Sequence, residues 1–170
     1  PRSSLAQIRG MFALLRPRQW VKNVFVFAPL IFAGEFLKLQ SIEKVALTAL
    51  IFCVASSATY ILNDLTDIER DRRHPKKSKS RPLASGLVSI PQAITILLIV
   101  YVALLAAWFV MPAVLYVVLG YLLLNLAYTF VLKHQPVIDI FTIAIGFVLR
   151  VYAGAMALSV PVSSWMFVTT

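Results

Sequence analysis

From residue 21 to residue 158 the chain is a series of apolar runs, each closed by a short polar or proline-bearing break. A helix crossing a bilayer needs about 17–25 predominantly apolar residues. Residues 21–37, 42–62, 90–110, 113–132 and 137–158 meet that length. Only 14% of residues are charged and 60% are hydrophobic, against about 25% charged in a soluble domain. The expected fold is therefore an all-α, multi-pass transmembrane helix bundle forming a single domain over residues 1–170. Residues 162–170 open a sixth run that is too short to cross, and the first residue is Pro1. The sequence is expected to be the earlier part of a longer protein.

Residues 1–20 read as a basic amphipathic lead-in, with Arg9, Arg16 and Arg18 among Met11, Phe12, Leu14 and Leu15. Such a segment lies in the membrane interface, and Trp20 is its expected anchor. No cleavage site of small residues marks a signal peptide. Cys53 is the single cysteine; it has no intrachain partner and reads as a small core residue.

The net charge is +9. Nucleic-acid binding would need a basic face on a water-soluble fold. Here the basic residues flank apolar runs, so anionic headgroups or phosphorylated substrates are the expected partners, and nucleic acid is not. Thirteen Lys and Arg fall in the lead-in with Lys22, the connection at 64–86, and Lys133, whereas Lys38 and Lys44 stand on the other side. The positive-inside rule then places the 64–86 loop in the cytoplasm. The expected location is the inner membrane of a bacterial cell, with the site facing the cytoplasm.

At the end of the second run stands Asn63-Asp64-Leu65-Thr66-Asp67-Ile68-Glu69-Arg70-Asp71. On one straight helix at about 100° per residue, Asp64, Asp67, Asp71 and Asn63 share an arc and Glu69 faces away. Asp67 and Asp71 are four apart, a like-charge spacing that destabilises a helix unless neutralised. A hard divalent cation such as Mg²⁺ is the simplest neutraliser, because it takes few carboxylates and completes its shell with water and phosphate. A plainer reading has the acidic run as a solvated helix end, with Asp67–Arg70 and Glu69–Arg73 pairs. Its place against lipid argues for function, since polar groups in a membrane are costly.

Arg81 stands beside Pro82, which restricts the local backbone, and a held Arg grips phosphate through two hydrogen bonds. Lys76, Lys77 and Lys79 read equally well as topology signals. Lys22 and Asn23 open the first run, where a snorkelling anchor is the plain alternative. Tyr128 and Lys133 close the fourth. Asp139 and Arg150 lie in the fifth, and Arg150 must face protein or water. A partnership with an unseen carboxylate competes there with a substrate role.

The acidic motif, followed by Arg81-Pro82-Leu83-Ala84-Ser85-Gly86, resembles the UbiA superfamily of membrane prenyltransferases. The stretch from Tyr128 to Lys133 resembles that family's Tyr/Lys element. The resemblance implies Mg²⁺ held on a diphosphate by Asp64, Asp67 and Asp71, which also act as the catalytic residues. It implies substrate contacts for Lys22, Asn63, Arg81, Tyr128, Lys133, Asp139 and Arg150. Residues 16–23, 27–30, 132–134, 146–150 and 153–155 are similar to a branch that moves a phosphoribosyl group. That branch implies 5-phosphoribosyl 1-diphosphate as donor, a polyprenyl (decaprenyl) phosphate as acceptor, pyrophosphate release, and a role in cell-envelope arabinan precursor synthesis. A second acidic motif is expected in the family's later half, beyond this chain. Two alternatives stay open: transfer of a prenyl group from a prenyl diphosphate to an aromatic or lipid acceptor, and a non-catalytic transporter or lipid-binding scaffold. The sequence leaves the oligomeric state open.

Overall fold

The computed structural model describes residues 4–132 and 135–159. All regular structure in them is helical. Helix α1 spans Ser4–Leu14, and a 3-10 segment follows over Pro17–Phe27. Next come α2 (Ala28–Phe32), α3 (Leu39–Thr66), α4 (Ile68–Arg73) and α5 (Lys77–Ser80). The remaining elements are α6 (Ile90–Trp108), α7 (Pro112–Ala127), a π turn (Tyr128–Leu132) and α8 (Pro136–Leu158). Four stretches are long and apolar enough to cross a membrane: Leu39–Thr66, Ile90–Trp108, Pro112–Val131 and Pro136–Leu158. The chain is thus an integral membrane protein. Lys133, His134 and the sixth run at 162–170 lie outside the described residues.

The expected first span at 21–37 is not an α-helix. Eleven residues of 3-10 helix at about 2.0 Å each, then five of α-helix at about 1.5 Å, reach roughly 30 Å, the thickness of the hydrocarbon core. Internal backbone hydrogen bonding keeps such a segment tolerable in lipid. Its side chains pair antiparallel with α3: Arg16 with Asp64, Trp20 with Ser57 and Asn23 with Cys53. At the other end, Ser41 donates to Glu35 at 2.9 Å, closing the turn into α3. The segment therefore traverses the depth of α3. The Trp20 indole N–H donates to Ser57 Oγ at 3.0 Å, which ties the start of the segment to α3.

Other boundaries follow local chemistry. Ser89 and Gln92 form a reciprocal capping box, with Pro91 in the first turn of α6, which satisfies otherwise orphaned N–H groups. Met111, just ahead of Pro112, closes the turn into α7. Two cores result. One gathers Val26, Phe52, Ala55, Val114, Val118 and Ala153 between the 3-10 segment, α3, α7 and α8. The other joins Leu14, Ala58, Ile61, Leu83, Val88 and Leu97. The 64–86 loop is thus not wholly solvated, since it carries two short helices and buries Leu83.

Gly154 permits the closest approach in the first core. A Cβ there would collide with the Val26 carbonyl and lie 3.2 Å from Pro29 Cδ. Backbone cannot yield as a side-chain tip can. Gly154→Ala should destabilise the protein by about 1–3 kcal/mol or more. Gly120→Ala, with nothing within 4 Å of its Cβ, should be neutral or slightly stabilising, as Ala is the better helix former. Thermal unfolding of both variants in detergent checks this.

Candidate active site

The acidic motif does not ride on one straight helix. Helix α3 stops at Thr66 and α4 starts at Ile68, with Asp67 between them at φ −98°, ψ 8°. The backbone N–H of Asp67 still donates to the Asn63 carbonyl, and that of Asp71 to the Asp67 carbonyl. Asp64 and Asp71 are buried and Asp67 is half-buried, whereas Glu69 is exposed. Among the described residues, no three His, Cys, Asp or Glu gather so as to hold a metal ion unaided. The regular helix, not the common facing of these residues, is what is interrupted at Asp67.

Asp64 has a partner that sequence reasoning assigned only to the lead-in. A terminal guanidinium nitrogen of Arg16 pairs with Asp64 Oδ1, and the same guanidinium stacks 4.7 Å from the Tyr60 ring centre. Arg16 adopts left-handed backbone, φ 51° and ψ 63°, although it precedes Pro17 and carries a Cβ. A residue before proline favours extended backbone, and strain of this kind costs about 1–3 kcal/mol and clusters at functional sites. The ion pair and the Tyr60 contact hold it there. Its sequence signals were a basic residue beside a proline and its place at the head of the 16–23 stretch.

One cavity adjoins this pair at Arg16, and a second lies beside the first. The outer one, about 350 Å³, is lined by Arg16, Asn63, Asp67, Arg70, Lys77 and Tyr128, among others. The inner one, about 230 Å³, is lined by Lys22, Tyr121, Thr142, Gly146, Phe147 and Arg150, among others. Tyr60, Asn125 and Tyr128 line both, so the two form one trough between the 3-10 segment, α3, α7 and α8. Tyr128 opens the π turn that follows α7, an irregularity frequent at functional sites. Its hydroxyl lies within electrostatic range of the Asp139 carboxylate. Of the expected residues, the trough gathers Lys22, Asn63, Asp67, Tyr128 and Arg150. Asp64 stands beside it through Arg16, and Arg81 and Asp71 lie within electrostatic range of Asp64. Lys133 falls outside the described residues.

Residues 24–170 match the UbiA prenyltransferase family. The chain belongs to that family. It is similar to the decaprenyl-phosphate phosphoribosyltransferase of Mycobacterium tuberculosis, 40% identical over 163 residues, which are 93% of this chain and 54% of that protein. The enzyme of the same name from Corynebacterium glutamicum is 38% identical over 161 residues, 92% of this chain and 48% of that protein. Nodulation protein NoeC of Azorhizobium caulinodans is 32% identical over 151 residues, 86% of this chain and 48% of that protein. The chain spans about half the length of these relatives.

The UbiA-family trough can be tested for the metal that the acidic motif implies. Asp64 Oδ2 is buried and has no hydrogen-bond partner among the described residues, while Asp67 lines the outer cavity. Mg²⁺ characteristically takes one or two carboxylates and completes its octahedron with water and substrate phosphate. The residues present fit an ion brought with a diphosphate, rather than a site made by three aspartates alone.

Because Asp64 is 2% exposed, stripping it of Arg16 should be costly. Breaking a buried pair from one side costs about 3–5 kcal/mol. Arg16→Leu should destabilise the protein strongly, and adding Asp64→Asn should recover much of the loss. A double-mutant cycle of unfolding free energies should give a coupling of about 0.5–3 kcal/mol; additive losses would remove the pair from the account.

Proposed function

We propose that this chain carries the donor site of a bacterial plasma-membrane enzyme. That enzyme transfers 5-phosphoribosyl from 5-phosphoribosyl 1-diphosphate to a polyprenyl phosphate, releases pyrophosphate, and supplies an arabinan precursor for the cell envelope. The observation that carries the reading is the trough itself. Its outer end is predominantly polar, and it is bordered by Arg16, Arg70 and Lys77 at that end and by Lys22 and Arg150 at the other, with Asp67 on its wall. Anionic reactants with a metal-binding diphosphate suit such a lining. The names of the mycobacterial and corynebacterial relatives support the same donor and acceptor.

In the proposed reaction an oxygen of the acceptor phosphate attacks C1 of the ribosyl group. The bond from C1 to the diphosphate oxygen breaks, and pyrophosphate leaves with the electron pair. The acceptor is already an anion at neutral pH, so a strong general base is not required. Mg²⁺, when bound, neutralises charge on the leaving diphosphate. Asp67 and the open oxygen of Asp64 would hold it, with Asp71 behind them. Arg16 and Arg81 add fixed positive charge at that end; the expected role of Lys133 concerns a residue outside those described. Asn63 and Tyr128 orient the donor, with Asp139 within electrostatic range of the Tyr128 hydroxyl. The rest of the acceleration comes from holding two reactants in line out of bulk water. The basic loop at 76–79 belongs to the cytoplasmic side in this reading, as the positive-inside rule requires.

Pyrophosphate release by the full-length protein, with a polyprenyl phosphate and Mg²⁺, tests the reading. 5-Phosphoribosyl 1-diphosphate should support release and a phosphoribosylated lipid; geranylgeranyl diphosphate should not. The reverse preference would make the protein a prenyltransferase. Asp67→Asn should lower turnover by on the order of 10²-fold, and chelation of Mg²⁺ should abolish it.

A further inference from the structure

The inner end of the trough holds a cation that the proposed chemistry leaves unassigned. Arg150 lies fourteen residues after Pro136, roughly 21 Å along α8. It is only 4% exposed. Among the described residues no Asp or Glu forms an ion pair with it. Burying an unpaired charge is expensive, yet this one is held with care. Its Nε donates to Asn23 Oδ1 at 2.8 Å, and Nη2 donates to the Tyr121 hydroxyl at 3.3 Å. Asn23 donates in turn to Cys53 Sγ, and Tyr121 to Ser56 Oγ. The rings of Tyr121 and Phe147 lie 5.0 and 5.4 Å from the guanidinium carbon. Every one of these neighbours is neutral. They orient the guanidinium and leave its charge uncompensated.

The side of the guanidinium away from Asn23 meets the cavity. Nη1 would stand 3.2 Å from a Cβ on Gly146, and Gly146 lines the same cavity as Arg150 and Lys22. Lys22 is within electrostatic range of Arg150. Two like charges therefore converge on one 230 Å³ cavity. An anion between them turns that repulsion into attraction, and a guanidinium with a free edge matches a phosphoryl group bidentately.

We propose that Arg150 and Lys22 form a phosphomonoester-binding site at the inner end of the trough, separate from the aspartates at its outer end. Asn23 and Tyr121 are positioning residues for the guanidinium. The site rests on the reaction proposed above for its two candidate ligands: the 5-phosphate of the donor and the phosphate of the lipid acceptor. Their recognition chemistry is the same. Such a site would disfavour a prenyl diphosphate as donor, because its hydrocarbon chain would strip Arg150 of water and offer it no partner.

Binding of ribose 5-phosphate and of farnesyl phosphate to the full-length protein, with ribose and farnesol as controls, tests this by titration calorimetry. Arg150→Gln and Gly146→Ala are the variants. Gly146→Ala crowds Nη1 while improving helix propensity, so it carries the test if Arg150→Gln fails to fold. At least one phosphorylated probe should lose tenfold or more in affinity in the folded variants while its control is unchanged. The probe that loses identifies which reactant uses the site. If both probes bind the variants as tightly as wild type, the site is overturned. It is overturned as well if wild type binds neither probe yet releases pyrophosphate from 5-phosphoribosyl 1-diphosphate. If wild type binds neither and releases none from that donor, the proposed function falls with it.

Discussion

The antiparallel seam between the 3-10 segment and α3 organises everything else in the molecule. Arg16 meets Asp64 at one end, and Trp20–Ser57 and Asn23–Cys53 follow in register. Polar contacts of this kind are costly to leave unmade where water is absent, so they fix the depth of the segment against α3. Once it is fixed, Val26 abuts Gly154 and α8 is drawn against the same segment. The trough is lined by residues of these elements and of α7. A strained Arg16 is the local cost of that seam, and the acidic motif is where it is recovered.

The charge pattern of the trough follows from this packing. Cations occur at both ends, the carboxylates at one. A diphosphate carrying a divalent ion suits the end with Asp67. A bare phosphoryl group suits the end with Arg150. The alternative of a non-catalytic scaffold does not account for a guanidinium held deep in α8 by neutral partners while it lines a cavity.

Much of the fold was legible because hydropathy dictates membrane helices. The third run was expected to begin at residue 90, and α6 begins at Ile90, set by a capping box readable in Ser89 and Gln92. The first run was misread as an α-helix because hydropathy measures length in residues, and a 3-10 segment spans the same depth with fewer. The break at Asp67 was invisible for a related reason: an ideal helix was assumed through a motif containing no Gly or Pro. Arg16 was missed because its role depends on a contact with Asp64, 48 positions away. By contrast, Lys22, Asn63, Tyr128 and Arg150 were legible as polar residues in or beside apolar runs, where a polar group requires a reason.

The most direct measurement is a density map of the full-length protein with 5-phosphoribosyl 1-diphosphate and Mg²⁺. The account predicts ligand density along the trough bordered by the 3-10 segment, α3, α7 and α8, with its metal-bearing end at Asp64 and Asp67. Density for the donor outside that trough, or a metal-bearing end remote from both aspartates, would contradict it.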